Sequence, residues 1–161
     1  MNQYDYIFNS EVTPLKKLYP LEGVVAIAVI VTLCDFEVSA DDVDIYPLVD
    51  KLWDTGLFKD YSGDELLTMV EGFLDRAQEK GLGVLFNTAY ASLTDDIVPK
   101  AFAIGVMMLL DDSVMIPPEK QRFIQELQQV LKLENNEAQQ IVDEVIVAAK
   151  TAEQDNILSS G

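Results

Sequence analysis

Residues 24–42, VVAIAVIVTLCDFEVSADD, and residues 101–119, AFAIGVMMLLDDSVMIPPE, can be laid over one another without a gap. Each is an apolar run of helix length that ends in an aspartate, crosses a short turn and reaches a second carboxylate seven residues later. The carboxylates are Asp35 and Asp42 in the first copy, Asp112 and Glu119 in the second. Ala26/Ala103, Ile27/Ile104, Val29/Val106, Leu33/Leu110 and Asp35/Asp112 are identical pairs, and Ala28/Gly105 and Val38/Met115 are conservative ones. A helix without a polar stripe must be covered on all sides, so the overlay predicts an all-α multihelical bundle with internal duplication and two buried central helices.

Outward from the two runs, apolar positions recur at spacings of three and four, and no sustained period-two alternation bounded by hairpin turns occurs. The first buried helix is expected over about 22–34, after a short helix near Pro14–Tyr19. Ser39 reads as an N-cap with Asp42 at the third helical position. The helix it opens carries Ile45, Tyr46, Leu48, Val49, Leu52 and Trp53 on one face, ends near Gly56, and contains Pro47, which implies a kink or a later start. Ser62-Gly-Asp-Glu65 is a capping box for a helix with Leu66, Met69, Val70, Phe73, Leu74 and Ala77 facing inward, closed by Gly81 and Gly83. A shorter helix over about 84–92 leads to Thr94, an N-cap for the second buried run, with Pro99 in its first turn.

The second half follows the same order. Pro117-Pro118 opens a helix with Phe123, Ile124, Leu127, Val130 and Leu131 inward. Asn135 or Asn136 caps a last one carrying Ile141, Val142, Val145, Ile146 and Ala149. The repeating unit is three helices, over about 20–80 and 97–153, within a single domain spanning 1–161. Residues 156–161 are expected to fray.

Composition limits the chemistry. At 161 residues and 49% hydrophobic content the chain can bury a sizeable core. Eleven Lys and Arg stand against 28 Asp and Glu, a formal net charge of −17. That field repels phosphate backbones and anionic lipid, and favours cations, a basic protein partner or, if the acidic surface serves only solubility, a homo-oligomer. No histidine is present, which excludes Ser-His-Asp and Cys-His catalysis and removes the commonest transition-metal ligand. Cys34 is the single cysteine, reads as a buried thiol and fits a reducing cytoplasm. The apolar runs 23–34 and 101–110 fall short of the roughly 20 residues of a membrane span, so no such span is expected. MNQYDYIFNSEV lacks the basic and apolar regions of a secretory signal.

The remaining signal lies in the carboxylates. A helix C-terminus carries partial negative charge, so an aspartate there costs about 0.3–1 kcal/mol unless something offsets it. Asp35, Asp111 and Asp112 all close apolar runs. In one arrangement Asp35 and Asp112 form Asx turns while Asp42 and Glu119 satisfy first-turn amides. In the other, Asp35, Asp42, Asp112 and Glu119 form an oxygen-rich site for a divalent cation, Ca²⁺ or Mg²⁺ ahead of Zn²⁺. Asp60, Ser62, Asp64 and Glu71 also fall at EF-hand spacing. There Glu65 replaces the required glycine, and the same segment reads as a capped helix start.

The turn Asp112-Ser-Val-Met-Ile-Pro-Pro-Glu119 resembles the recurring Asp-Gly-x-Ile/Val-x-x-x-Glu segment of the TerB-like tellurite-resistance family, and residues 35–42 resemble it a second time. The resemblance covers about residues 20–150. It implies an all-helical fold with two central hydrophobic helices and an internal duplication, an association with tellurite and chemical-stress resistance, and divalent-metal binding at Asp35, Asp42, Asp112 and Glu119. Phe36 and Ser113 stand where the family usually has glycine, and Asp42 is one methylene shorter than the usual glutamate. Tellurite is itself an oxyanion, so direct sequestration by a chain at −17 runs against charge. The resulting reading is a non-enzymatic helical module that binds ions or docks partner proteins. The alternatives are a metal-dependent hydrolase built on a carboxylate pair and a purely structural acidic homo-oligomer.

Overall fold

The computed structural model describes residues 7, 18–36, 44–111 and 113–160, with the side chains of 35, 36 and 153–160 left out. Among these residues every regular element is a helix: α1 (Pro20–Phe36), α2 (Ile45–Asp54), α3 (Gly63–Lys80), α4 (Leu82–Ser92), α5 (Val98–Leu109), a 3-10 turn (Pro118–Lys120), α6 (Gln121–Val130) and α7 (Asn135–Ser160). None of them is long and apolar enough to cross a membrane. The helix expected near Pro14–Tyr19 lies mostly outside the described residues, and Leu18 and Tyr19 are not helical.

Local chemistry sets the helix ends. Pro20 is the first residue of α1, where its missing N–H is no loss, and Glu22 reaches back to accept the Tyr19 N–H at 2.8 Å. The helix therefore starts before the expected Glu22. At α3 the capping box forms in full: the Ser62 hydroxyl accepts the Glu65 N–H and the Glu65 carboxylate accepts the Ser62 N–H, each at 3.0 Å. Asp64 and Glu65 lie in the first helical turn, so the EF-hand-like segment is a helix start.

Three expected boundaries move. The α2 N-cap is Asp44, whose carboxylate accepts the Tyr46 N–H, and Ser39 lies outside the described residues. Starting at Ile45 places Pro47 in the first turn, where its ring meets no helical carbonyl and its absent N–H has no partner to lose. Thr94 does not cap α5: its hydroxyl bonds Asp96, and its carbonyl accepts from Ile97 and Val98 to form a separate turn ahead of Val98. Gly81, at φ +93°, ends α3 alone, while Gly83 is a buried residue of α4. α7 also continues through residues 156–160, which the sequence reading leaves as a fraying tail.

The core is built around α1, which packs against α3, α4 and α5. Every residue from Val24 to Val31 is 1% exposed or less, so this stretch of the helix has no solvent face. α5 also packs on α7 and α6, and its Ala101, Phe102 and Val106 are 0% exposed. Two small residues allow the closest approaches. A Cβ on Gly23 would stand 2.2 Å from the Ser92 hydroxyl and 3.0 Å from the Ala89 carbonyl of α4. One on Gly105 would stand 2.8 Å from a Leu127 methyl of α6. Gly72 differs: it is exposed in mid-α3 and a Cβ there meets nothing within 4 Å. Gly72→Ala is expected to raise stability by about 0.5–1 kcal/mol through helix propensity alone, read from urea unfolding. A loss would show that α3 is not a regular helix at that point.

α7 is incompletely covered. Its 26 residues extend about 39 Å at the helical rise, whereas the 12 of α5 beneath it give only about 18 Å. Ile141, Val142, Val145, Ile146 and Ala149, expected to face the core, are half-buried, and Ala138 is its buried contact at 2%.

Candidate functional site

The turn after α5 is held by Asp111. Its Oδ1 accepts the N–H groups of Ser113 (2.9 Å) and Met115 (3.1 Å). Its backbone N–H donates to the Met115 carbonyl, and its carbonyl accepts the Val114 N–H. This is an Asx-type turn at Asp111, placed there because α5 stops at Leu109. The left-handed position is Val114, at φ +57°, an unfavourable conformation for a β-branched residue. Burial of its side chain and the Asp111 bonds hold it there.

The four sequence-selected carboxylates are described unequally. Asp35 is in the last turn of α1, its side chain outside the described set, and Phe36 is helical. Asp42 and Asp112 lie outside the described residues. Glu119 is exposed on the 3-10 turn. Among the described residues no three carboxylates or thiols gather as a metal site. The gapless overlay pairs Leu109, the last residue of α5, with Thr32, yet α1 runs on to Phe36. The two overlaid helices therefore end at different points of the repeat.

The grooves among the described residues include three that border α3 or α7. One of about 690 Å³ lies between α6 and α7, with Phe102 and Ile124 among its apolar residues and Gln121, Gln125, Gln128 and Gln139 supplying amides. One of about 450 Å³ separates α2 from α7 over Ile104 and Met107 of α5, where alanines 148, 149 and 152 leave space unfilled. The third, about 530 Å³, lies where α1 and α3 begin. Leu18, Met69 and Phe73 give it an apolar lining, and Glu22, Asp64 and Glu65 bring carboxylates to it.

Tyr61 stands in this third groove. Burial, followed by the negative charges of Glu22, Glu65 and Asp60, holds its phenol above the usual tyrosine range. Glu22 and Glu65 each have one oxygen fixed by a cap bond, so their charges are held in place. Arg76, over the Phe73 ring at 5.7 Å, is the basic residue of the lining. Sequence reading registered Glu65 as a cap and Glu22 as a helix start, but not their convergence, which spacing along the chain does not carry. Asp111 did leave a signal, since Asp-x-Ser is an Asx-turn pattern. No protein-family model, curated protein or solved structure matches the chain.

Proposed function

We propose that this chain is a non-enzymatic, TerB-like helical module that docks partner proteins on its acidic surface and binds a divalent cation through Asp35, Asp42, Asp112 and Glu119. By resemblance it belongs to cytoplasmic tellurite and chemical-stress resistance. The observation that carries the reading is the pairing of helices. α1 and α5, the two overlaid runs, pack against each other, and each also packs on the last helix of its own half, α3 or α7. That arrangement supports a duplicated unit with the hydrophobic helices inside. The roles of Glu22, Asp44, Glu65 and Asp111 as caps and turn acceptors support a structural rather than catalytic use of these carboxylates.

Thermal unfolding in chelator and in Ca²⁺, Mg²⁺, Mn²⁺ or Zn²⁺ tests the cation part. The expected result is a midpoint that rises with Ca²⁺ or Mg²⁺ concentration, by about 2.7 kcal/mol of added stability at a hundredfold excess over Kd. The rise should vanish in Asp35→Asn/Asp112→Asn. A rise unchanged in that variant places the ion elsewhere, and no rise with any ion leaves the acidic turns as caps.

A further inference from the structure

We propose that the groove between the starts of α1 and α3 is the docking site for a basic amphipathic helix of a partner protein. The inference rests on the docking reading above and assigns it a place and a partner chemistry. The groove combines an apolar lining with three carboxylates. Its apolar lining, Leu18, Met69 and Phe73, would take the aliphatic side of a helix, and the exposed Gly72 leaves the α3 wall without a side chain. Glu22, Asp64 and Glu65 would face the lysines or arginines flanking that side.

The carboxylates come from two helix N-termini rather than one run, and Tyr61, which lines the groove with them, feels the charges of Glu22 and Glu65. Cap bonds to Tyr19 and Ser62 fix Glu22 and Glu65 before a partner arrives, which lowers the ordering cost of binding. Two other occupants fit less well. A second copy of this chain would bring another −17 of charge against the same face. A hard cation needs converging oxygens, whereas these carboxylates surround an apolar lining and form no cluster of metal-ligand geometry.

The test uses the full chain and a fluorescein-labelled leucine/lysine peptide of about 14 residues, long enough for a marginal amphipathic helix. Two further peptides serve as controls: a scramble of the same composition without an apolar face, and a leucine/glutamate analogue. Fluorescence anisotropy should show saturable binding of the amphipathic basic peptide and at least about tenfold weaker binding of both controls. Glu22→Gln/Asp64→Asn/Glu65→Gln removes three charges while glutamine still serves at the cap position. Gly72→Leu fills the groove from an exposed helical site. Each should weaken binding by about tenfold or more, with circular dichroism showing the fold retained.

Glu137→Gln/Asp143→Asn/Glu144→Gln on exposed α7 positions changes the net charge equally and should leave binding unchanged. Equal binding of the scramble, or equal loss in the α7 variant, reduces the effect to bulk charge and overturns the proposal. Binding that survives both groove variants removes this site while leaving partner docking intact. No binding of the basic peptide to the wild-type chain removes both. Light scattering that shows a dimer dissociated by Gly72→Leu gives the groove to a second copy, and displacement of the peptide by Mg²⁺ near its own stoichiometry gives it to an ion. Either result overturns the proposal.

Discussion

Phe102→Ala is expected to lower the free energy of unfolding by about 3–5 kcal/mol. The ring is fully buried, in a helix that packs against α1, α6 and α7, the first of which has no exposed residue from Val24 to Val31. Helix α1 cannot move in to fill the space without lifting away from α3 and α4, so most of the ring volume would remain as a cavity. In a domain whose total stability is about 5–15 kcal/mol, that is a large fraction. It corresponds to a fall in melting temperature of roughly 6–20 °C. Urea unfolding followed by circular dichroism measures it. A loss under about 1 kcal/mol would mean that the α5 side chain is not packed as described.

Gly23→Ala should destabilise by about 1–3 kcal/mol, although alanine is the better helix former by about 1 kcal/mol. The sign is the test. The new methyl would lie 2.2 Å from a hydroxyl that already donates to the Ala89 carbonyl at 2.6 Å, and 3.0 Å from that carbonyl itself. The hydroxyl can be removed but the backbone oxygen cannot. In the Ser92→Ala background the cost of Gly23→Ala should therefore fall without disappearing, and a double-mutant cycle would report coupling between the positions. A stabilising Gly23→Ala would mean that α1 and α4 do not approach this closely. The contrast with Gly72→Ala, the same substitution in open space, separates packing from propensity.

Legibility in the sequence followed the range of the interactions. Ser62 and Glu65 could be read because both halves of their capping box lie within one turn. The absence of a polar stripe in 24–31 could be read because a helix buried on every side needs none. Tyr46 and Trp53 were read on the core face of α2 but are 67% and 47% exposed, because the helix turns only the stripe around Leu48 and Leu52 to the core. The Asx turn at Asp111 was not read, since which of two adjacent aspartates serves as the acceptor depends on where α5 stops. Five apolar positions on α7 were read as core but are half-buried, because periodicity marks a face without saying whether anything covers it.

The sequence by itself determined the all-helical class, the apolar runs and the Ser62-Glu65 capping box, because these depend on side chains within a few residues of the backbone groups they serve. Only the tertiary structure decided that Gly23 meets Ser92, that α7 overhangs α5, and that Glu22 and Glu65 converge on Tyr61. Those outcomes depend on how whole helices cross, and crossing geometry is set by the summed packing of distant residues rather than by any local spacing.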